Sequence, residues 1–195
     1  MSIMELSTFE SGILLWIQEN LRGAWDKIVV FITFLGDAGW FWIALTVLLL
    51  IIRKTRMRAL GPAFALAIDV LVCNVTLKNL FMRPRPYVSF DFIVPLGHLD
   101  NETSFPSGHT CSSFAAATAI YFMYGKKAGI PAFILASLIS LSRLYVGVHY
   151  PTDILAGVVV GVLCGLLRHE RGMDTAQEHG FAQTAEVVGV AVAPR

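Results

Sequence analysis

Seven polar side chains interrupt an apolar sequence in three groups, and their types suit one chemistry. Lys78 and Arg85 lie seven residues apart in KNLFMRPRP. Two helical turns separate them, so the spacing predicts that both face one way before Pro84 and Pro86 stop the helix. In FPSGHT, residues 105–110, Ser107 is placed to cap an apolar helix and Gly108 lets a ligand approach the backbone. Free amide N–H groups and the helix dipole favour an oxyanion there, with His109 in the first turn. In SRLYVGVHYPTD, residues 142–153, Arg143 ends one apolar run, while His149 and Asp153 flank Pro151 at the start of the next. At this spacing the Asp153 carboxylate reaches one ring nitrogen of His149, fixes its tautomer and leaves the other nitrogen free.

Each group alone also has an ordinary reading: a basic patch against anionic head groups, a bare helix cap, a His–Asp pair that satisfies itself. Together, two histidines and three cations match a phosphoryl group being transferred. The cations hold non-bridging oxygens, one histidine attacks phosphorus and the other protonates the leaving oxygen. Metal-assisted hydrolysis fits less well, because no HExxH occurs and Asp91, Asp100 and Glu102 are isolated. A zinc site from His98, His109 and His149 is compatible with the spacing, but the basic residues would crowd a cation.

The elements that must position these groups are membrane helices. The 195 residues are 55% hydrophobic and 15% charged, whereas soluble domains average about 25% charged residues. Mean hydropathy is +0.65. A formal charge of +1 leaves no overall basic field for a nucleic acid. Apolar runs predict five crossings, at about Ala38–Ile52, Ala59–Leu77, Gly108–Tyr124, Ala128–Leu141 and Asp153–Leu167. Before them, residues 1–35 read as amphipathic helices lying in the interface, with a distorted sixth crossing as the alternative. Residues 36–168 form the transmembrane catalytic domain, and 169–195 read as a flexible cytoplasmic tail.

Arg53, Lys54, Arg56 and Arg58 follow the first crossing, Lys126 and Lys127 the third, and Arg168 and Arg171 the last. Five crossings put all three clusters on one side, which the positive-inside rule makes cytoplasmic. All seven polar residues then return to the external boundary. Cys73, Cys111 and Cys164 lie in apolar runs and read as small core residues.

The same residues resemble a family. Lys78 with six residues before Arg85-Pro86, then Pro106-Ser107-Gly108-His109, then Ser142-Arg143 with five residues before His149 and three before Asp153, are similar to the three-part signature of the type 2 phosphatidic acid phosphatase (PAP2) superfamily. The resemblance covers roughly residues 25–168. It implies an all-α polytopic membrane helix bundle with a PAP2-like core, six-crossing in the family. It also implies that His149 is the nucleophile forming a phosphohistidine, that Asp153 orients it and that His109 is the general acid. Lys78, Arg85, Ser107, Gly108 and Arg143 would bind the phosphate, with no metal or other cofactor. Arg83 is an extra cation, for a second phosphate or a head group, or a plain exposed loop charge. Asp69, within a crossing, reads as a buried hydrogen bonder.

The expected partner is a lipid phosphate presented sideways from the bilayer at the external or periplasmic face of a bacterial plasma membrane. The favoured reaction is undecaprenyl pyrophosphate to undecaprenyl phosphate and phosphate. Phosphatidic acid or phosphatidylglycerol phosphate is the near alternative, and a non-enzymatic lipid-phosphate transporter the distant one.

Overall fold

The computed structural model describes residues 3–97, 99 and 103–167. His98, Asp100, Glu102, Arg168, Arg171 and the 169–195 tail lie outside the described residues. The described chain is helical: α1 (Ile3–Leu21), α2 (Asp26–Phe34), a 3-10 turn (Asp37–Gly39), α3 (Trp40–Ile51) and α4 (Arg56–Asp69). A π-helical stretch (Val70–Leu77), α5 (Lys78–Phe81), α6 (Pro86–Ser89), α7 (Gly108–Tyr124), α8 (Lys126–Tyr145) and α9 (Pro151–Leu167) follow.

The middle of the bundle is α7, and its composition explains why. Cys111, Ser113, Ala115, Ala116, Ala117 and Thr118 are all buried, and small side chains let neighbouring backbones come close. On one side Trp42 of α3 packs with Leu66 of α4 and with Ala132, Ala136 and Ile139 of α8. The Trp42 indole N–H donates to Ser113 Oγ at 2.9 Å, which satisfies a polar atom that burial would otherwise penalise. On the other side α9 presents Gly157, Gly161 and Gly165, one per turn, to Thr110, Cys111, Phe114, Ala115 and Thr118. The fit leaves no room, since a Cβ on Gly161 would lie 2.4 Å from the Cys111 carbonyl oxygen. The opposite ridge of α9, Leu155, Val159 and Leu163, is exposed. Such an outward apolar ridge belongs against lipid rather than water.

By length and composition Arg56–Ser89 and Lys126–Tyr145 each suffice to cross a membrane, and α2 with 37–51, bent by 45°, suffices as a third. Among the described residues this gives a multi-pass bundle of two such spans, up to three, where the apolar runs predict five. The difference has a physical source. The 17 residues of α7 are chosen for contact with protein, so Ala, Ser and Thr replace the bulkier apolar residues that lipid favours, and α9 is a shorter apolar helix.

Two basic turns lie at one end of the bundle, α3–α4 with Arg53 and Lys54, and α7–α8 with Lys126. The Tyr124 hydroxyl donates to the Thr55 carbonyl at 3.1 Å and ties them together. The starts of α3, α7 and α9 and the ends of α5 and α8 meet at the opposite end.

Candidate active site

At that opposite end a cavity of about 370 Å³ is lined by Lys78, Arg85, Gly108, His109 and His149, with Asp69, Asn74 and Ser112 beside them. Five of the eight candidate residues therefore face one space. Ser107, Arg143 and Asp153 are buried outside its lining.

Lys78 and Arg85 reach it by a route different from the one their spacing predicts. The helix ends at Phe81 because Met82 adopts a left-handed conformation, φ 41°, and Arg85 is extended with ψ 156°. Prolines on both sides of Arg85 hold that extension. The two cations thus share a cavity without sharing a helical face. Arg85 is 3% exposed, donating from Nη1 to the Val148 carbonyl at 3.2 Å and approaching His149 Nε2 at 3.4 Å.

Ser107 occupies the N-cap position of α7 but makes no side-chain cap bond. Its hydroxyl accepts instead from Thr110 Oγ1 at 3.1 Å, and its N–H donates to the Asp153 carbonyl at 3.2 Å, which locks the start of α7 to the start of α9. Gly108 matters through what it lacks: a Cβ there would lie 3.1 Å from Asn74 Oδ1 and 3.7 Å from Lys78 Nζ. His109 presents Nε2 to Asp37 Oδ1 at 2.8 Å. Its ring rests on Gly36, where a Cβ would stand 2.6 Å from His109 Cδ2. The helix break at residues 36–39, with Ala38 at φ 49° and Gly39 at φ 67°, is what swings Asp37 onto the histidine.

His149 is fully buried, in the turn between α8 and α9. Its Nδ1 lies 3.5 Å from Asp153 Oδ2, as the four-residue spacing predicts. The sequence did not show Ser104, whose hydroxyl donates to the same Oδ2 at 2.5 Å and stands 3.4 Å from Nδ1. Arginine only donates, so the approach of Arg85 to Nε2 assigns the proton to Nδ1 and the lone pair to Nε2. Burial, opposed by the Asp153 hydrogen bond and reinforced by the Arg85 and Arg143 charges, pushes the His149 imidazolium pKa down to about 3. A neutral imidazole beside cations is suited to attack an anionic electrophile, because near neutral pH its lone pair is not lost to a proton.

This has a direct test. In histidine-labelled protein in detergent, the His149 NMR signal should keep its neutral shift from pH 8 to pH 5. A transition near 6.5, where an ordinary histidine titrates, would contradict the burial argument.

Arg143 departs from its expected place in the phosphate pocket. At the buried end of α8 it donates from Nη1 to Thr33 Oγ1 of α2 at 2.7 Å and lines a separate cavity of about 140 Å³ with Asp37. Its charge still bears on His149. Asp69 is 1% exposed, buried as its position within an apolar run suggests, and its Oδ1 has no hydrogen-bond partner among the described residues. Its carboxylate lies within 4.8 Å of the Cys73 and Cys111 thiols, the one mixed donor set of this kind among the described residues. All three cysteines are buried and unbridged, as small core residues.

Arg83 is not an exposed loop charge. It is 12% exposed and ion-paired with Glu10 at 2.6 Å and with Asp153 Oδ1 at 2.7 Å. Glu10 and Asp37 escaped the motif reading because their partners are far away in sequence. The available signal was a lone carboxylate in an apolar run, which seldom lacks a partner.

A family model described as the PAP2 superfamily matches residues 58–172. Undecaprenyl-diphosphatase BcrC of Bacillus subtilis (strain 168) is 33% identical over 142 residues, 73% of this chain and 72% of that protein. The crystal structure of Aquifex aeolicus LpxE is similar with a TM-score of 0.72 and 26% identity, over 83% of this chain and 95% of that one. That of a PAP2-type phosphatidylglycerolphosphate phosphatase from Bacillus subtilis gives 0.70 and 27%, over 89% and 87%.

Proposed function

Because this chain belongs to the PAP2 superfamily, as a membrane lipid-phosphate phosphatase, we propose that it hydrolyses undecaprenyl pyrophosphate to undecaprenyl phosphate and phosphate. The observation that carries the proposal is the convergence of Lys78, Arg85, His109 and His149 on one cavity, in a chain 33% identical to an undecaprenyl-diphosphatase.

In this reading Lys78, Arg85 and the Gly108 amide hold the terminal phosphate, while Ser107 fixes the start of α7 and Arg143 contributes its charge from behind the cavity wall. His149 Nε2 attacks its phosphorus and the bridging P–O bond breaks. His109 gives its proton to the departing undecaprenyl phosphate oxygen. Water then attacks the phosphohistidine, the N–P bond breaks, and His109 takes the proton that the water loses. Asp153 keeps the Nδ1 proton in place and stabilises the positive ring as the N–P bond forms. Protein cations supply the charge that a metal would otherwise supply.

The topology proposed with this reading has five crossings, α7 and α9 included, within a bacterial plasma membrane. The basic turns at one end favour a cytoplasmic position for that end and an external one for the cavity. Phosphatidylglycerol phosphate or phosphatidic acid is the second reading, favoured by the likeness to a phosphatidylglycerolphosphate phosphatase.

Purified protein in detergent with excess chelator is expected to release phosphate fastest from undecaprenyl pyrophosphate, beside phosphatidic acid and phosphatidylglycerol phosphate. Preference for a glycerolipid would replace the substrate. Dependence on added metal would overturn the cation-only chemistry, and silence on all three would overturn the hydrolase reading.

A further inference from the structure

Behind Asp153, on the side away from His149, lies a buried ionic chain that the three motifs do not contain. Arg83 Nη1 donates to Asp153 Oδ1 at 2.7 Å and to Thr152 Oγ1 at 2.8 Å. Its Nη2 donates to Glu10 Oε2 at 2.6 Å and to Ser7 Oγ at 2.9 Å. The other Glu10 oxygen accepts the Thr152 backbone N–H at 2.7 Å, so one carboxylate of α1 both holds Arg83 and satisfies an amide in the first turn of α9. Glu10 is 2% exposed and Asp153 is fully buried. The guanidinium is further fixed by the Tyr150 ring, 3.8 Å from its central carbon.

Two buried carboxylates share one cation, and each of its terminal nitrogens serves one of them. Asp153 is gripped at both ends: Arg83 holds Oδ1, while Ser104 and the Tyr150 N–H hold Oδ2, the oxygen nearer His149. Releasing Oδ1 frees the carboxylate to rotate and changes which oxygen, at what distance, faces the imidazole. Glu10 lies outside the residues that the family model matches.

We propose that Arg83 is a positioning residue for the reaction, acting through Asp153, and that Glu10 of the N-terminal helix acts through Arg83. The inference rests on the reading of His149 as nucleophile oriented by Asp153.

The test is a double-mutant cycle on phosphate release from whichever of the three lipid phosphates the wild type turns over fastest. Lysine cannot reproduce two nitrogens aimed at two carboxylates, so Arg83→Lys should lower kcat about tenfold, with KM changed less than about threefold. Asp153→Asn alone should lower kcat further, and adding Arg83→Lys to it should cost no more than about twofold again. A residue that merely stabilised the fold would give losses that multiply. Where Arg83→Lys yields no folded protein, Glu10→Gln decides: it should lower kcat while the elution volume stays that of the folded wild type. Wild-type kcat in the folded variant, multiplying losses, or a raised KM at constant kcat would each overturn the inference, the last by placing Arg83 on the substrate. Full activity in Asp153→Asn would instead overturn the reading of the His149–Asp153 pair on which it rests.

Discussion

Replacing His149 with alanine is expected to lower phosphate release by at least about 10³-fold while lipid binding persists. Its Nε2 belongs to a neutral ring on the cavity wall, 3.4 Å from the Arg85 guanidinium, with the Asp153 carboxylate at its other nitrogen. His109 spends Nε2 on Asp37 and so cannot replace it from where it stands. Removing the imidazole leaves Lys78 and Arg85, and hence the attraction for phosphate. Two measurements therefore separate the readings: phosphate release, and retention of a radiolabelled lipid phosphate by the detergent-solubilised variant. A variant that still hydrolyses at more than a few per cent of the wild-type rate refutes a covalent role for His149. A protein that moved lipid phosphates without cleaving them would lose little on this substitution.

The second large effect is on folding. Gly161→Leu is expected to give no monodisperse protein, and Gly161→Ala a clear fall in melting temperature. Even the alanine Cβ would sit 2.4 Å from the Cys111 carbonyl oxygen and 3.1 Å from the Ala115 nitrogen. Both are backbone atoms of α7 and cannot rotate away, so α9 must lift. Overpacking of this kind typically costs about 1–3 kcal/mol for small insertions and more where backbone must move. Because Asp153 begins α9 and its carbonyl accepts from Ser107, activity should fall with stability. Gly12 provides the contrast, with nothing within 4 Å of its Cβ position. Gly12→Ala should be neutral or mildly stabilising, since it removes helix-interior glycine without a clash. Equal melting temperatures for Gly161→Ala and the wild type would remove α7–α9 contact as a determinant of the fold.

The chemistry was legible in the sequence to the extent that it is local. Phe105–Thr110 and His149–Asp153 are short stretches whose spacing alone places their side chains, and the cavity holds His109 and His149 as that spacing suggests. What stayed hidden are partners joined only by the fold. Asp37 meets His109, Thr33 meets Arg143, and Glu10 meets Arg83, each across at least 72 residues. Nothing in a linear pattern couples such pairs. The spacing of Lys78 and Arg85 predicts one helical face because periodicity ignores a left-handed Met82 and the π-helical register upstream. The glycine spacing of α9 was visible and would have predicted its contact with a helix of small residues. The crossing count is where sequence and structure differ most, because the apolar runs at α7, of 17 residues, and at α9 fall in helices shorter than the two long spans.

The size of the cavity bears on how a lipid phosphate would meet this phosphatase. About 370 Å³ lies toward the lower end of the roughly 300–1,000 Å³ typical of small-ligand sites, room for phosphate groups and the first carbons of a lipid. In the proposed reading the rest of the lipid stays dissolved among acyl chains. The bilayer is then the reaction solvent, and the variable that sets the rate is a mole fraction in a two-dimensional sheet. Diluting the substrate with inert lipid should slow turnover at constant bulk concentration, whereas enlarging the water volume should change nothing.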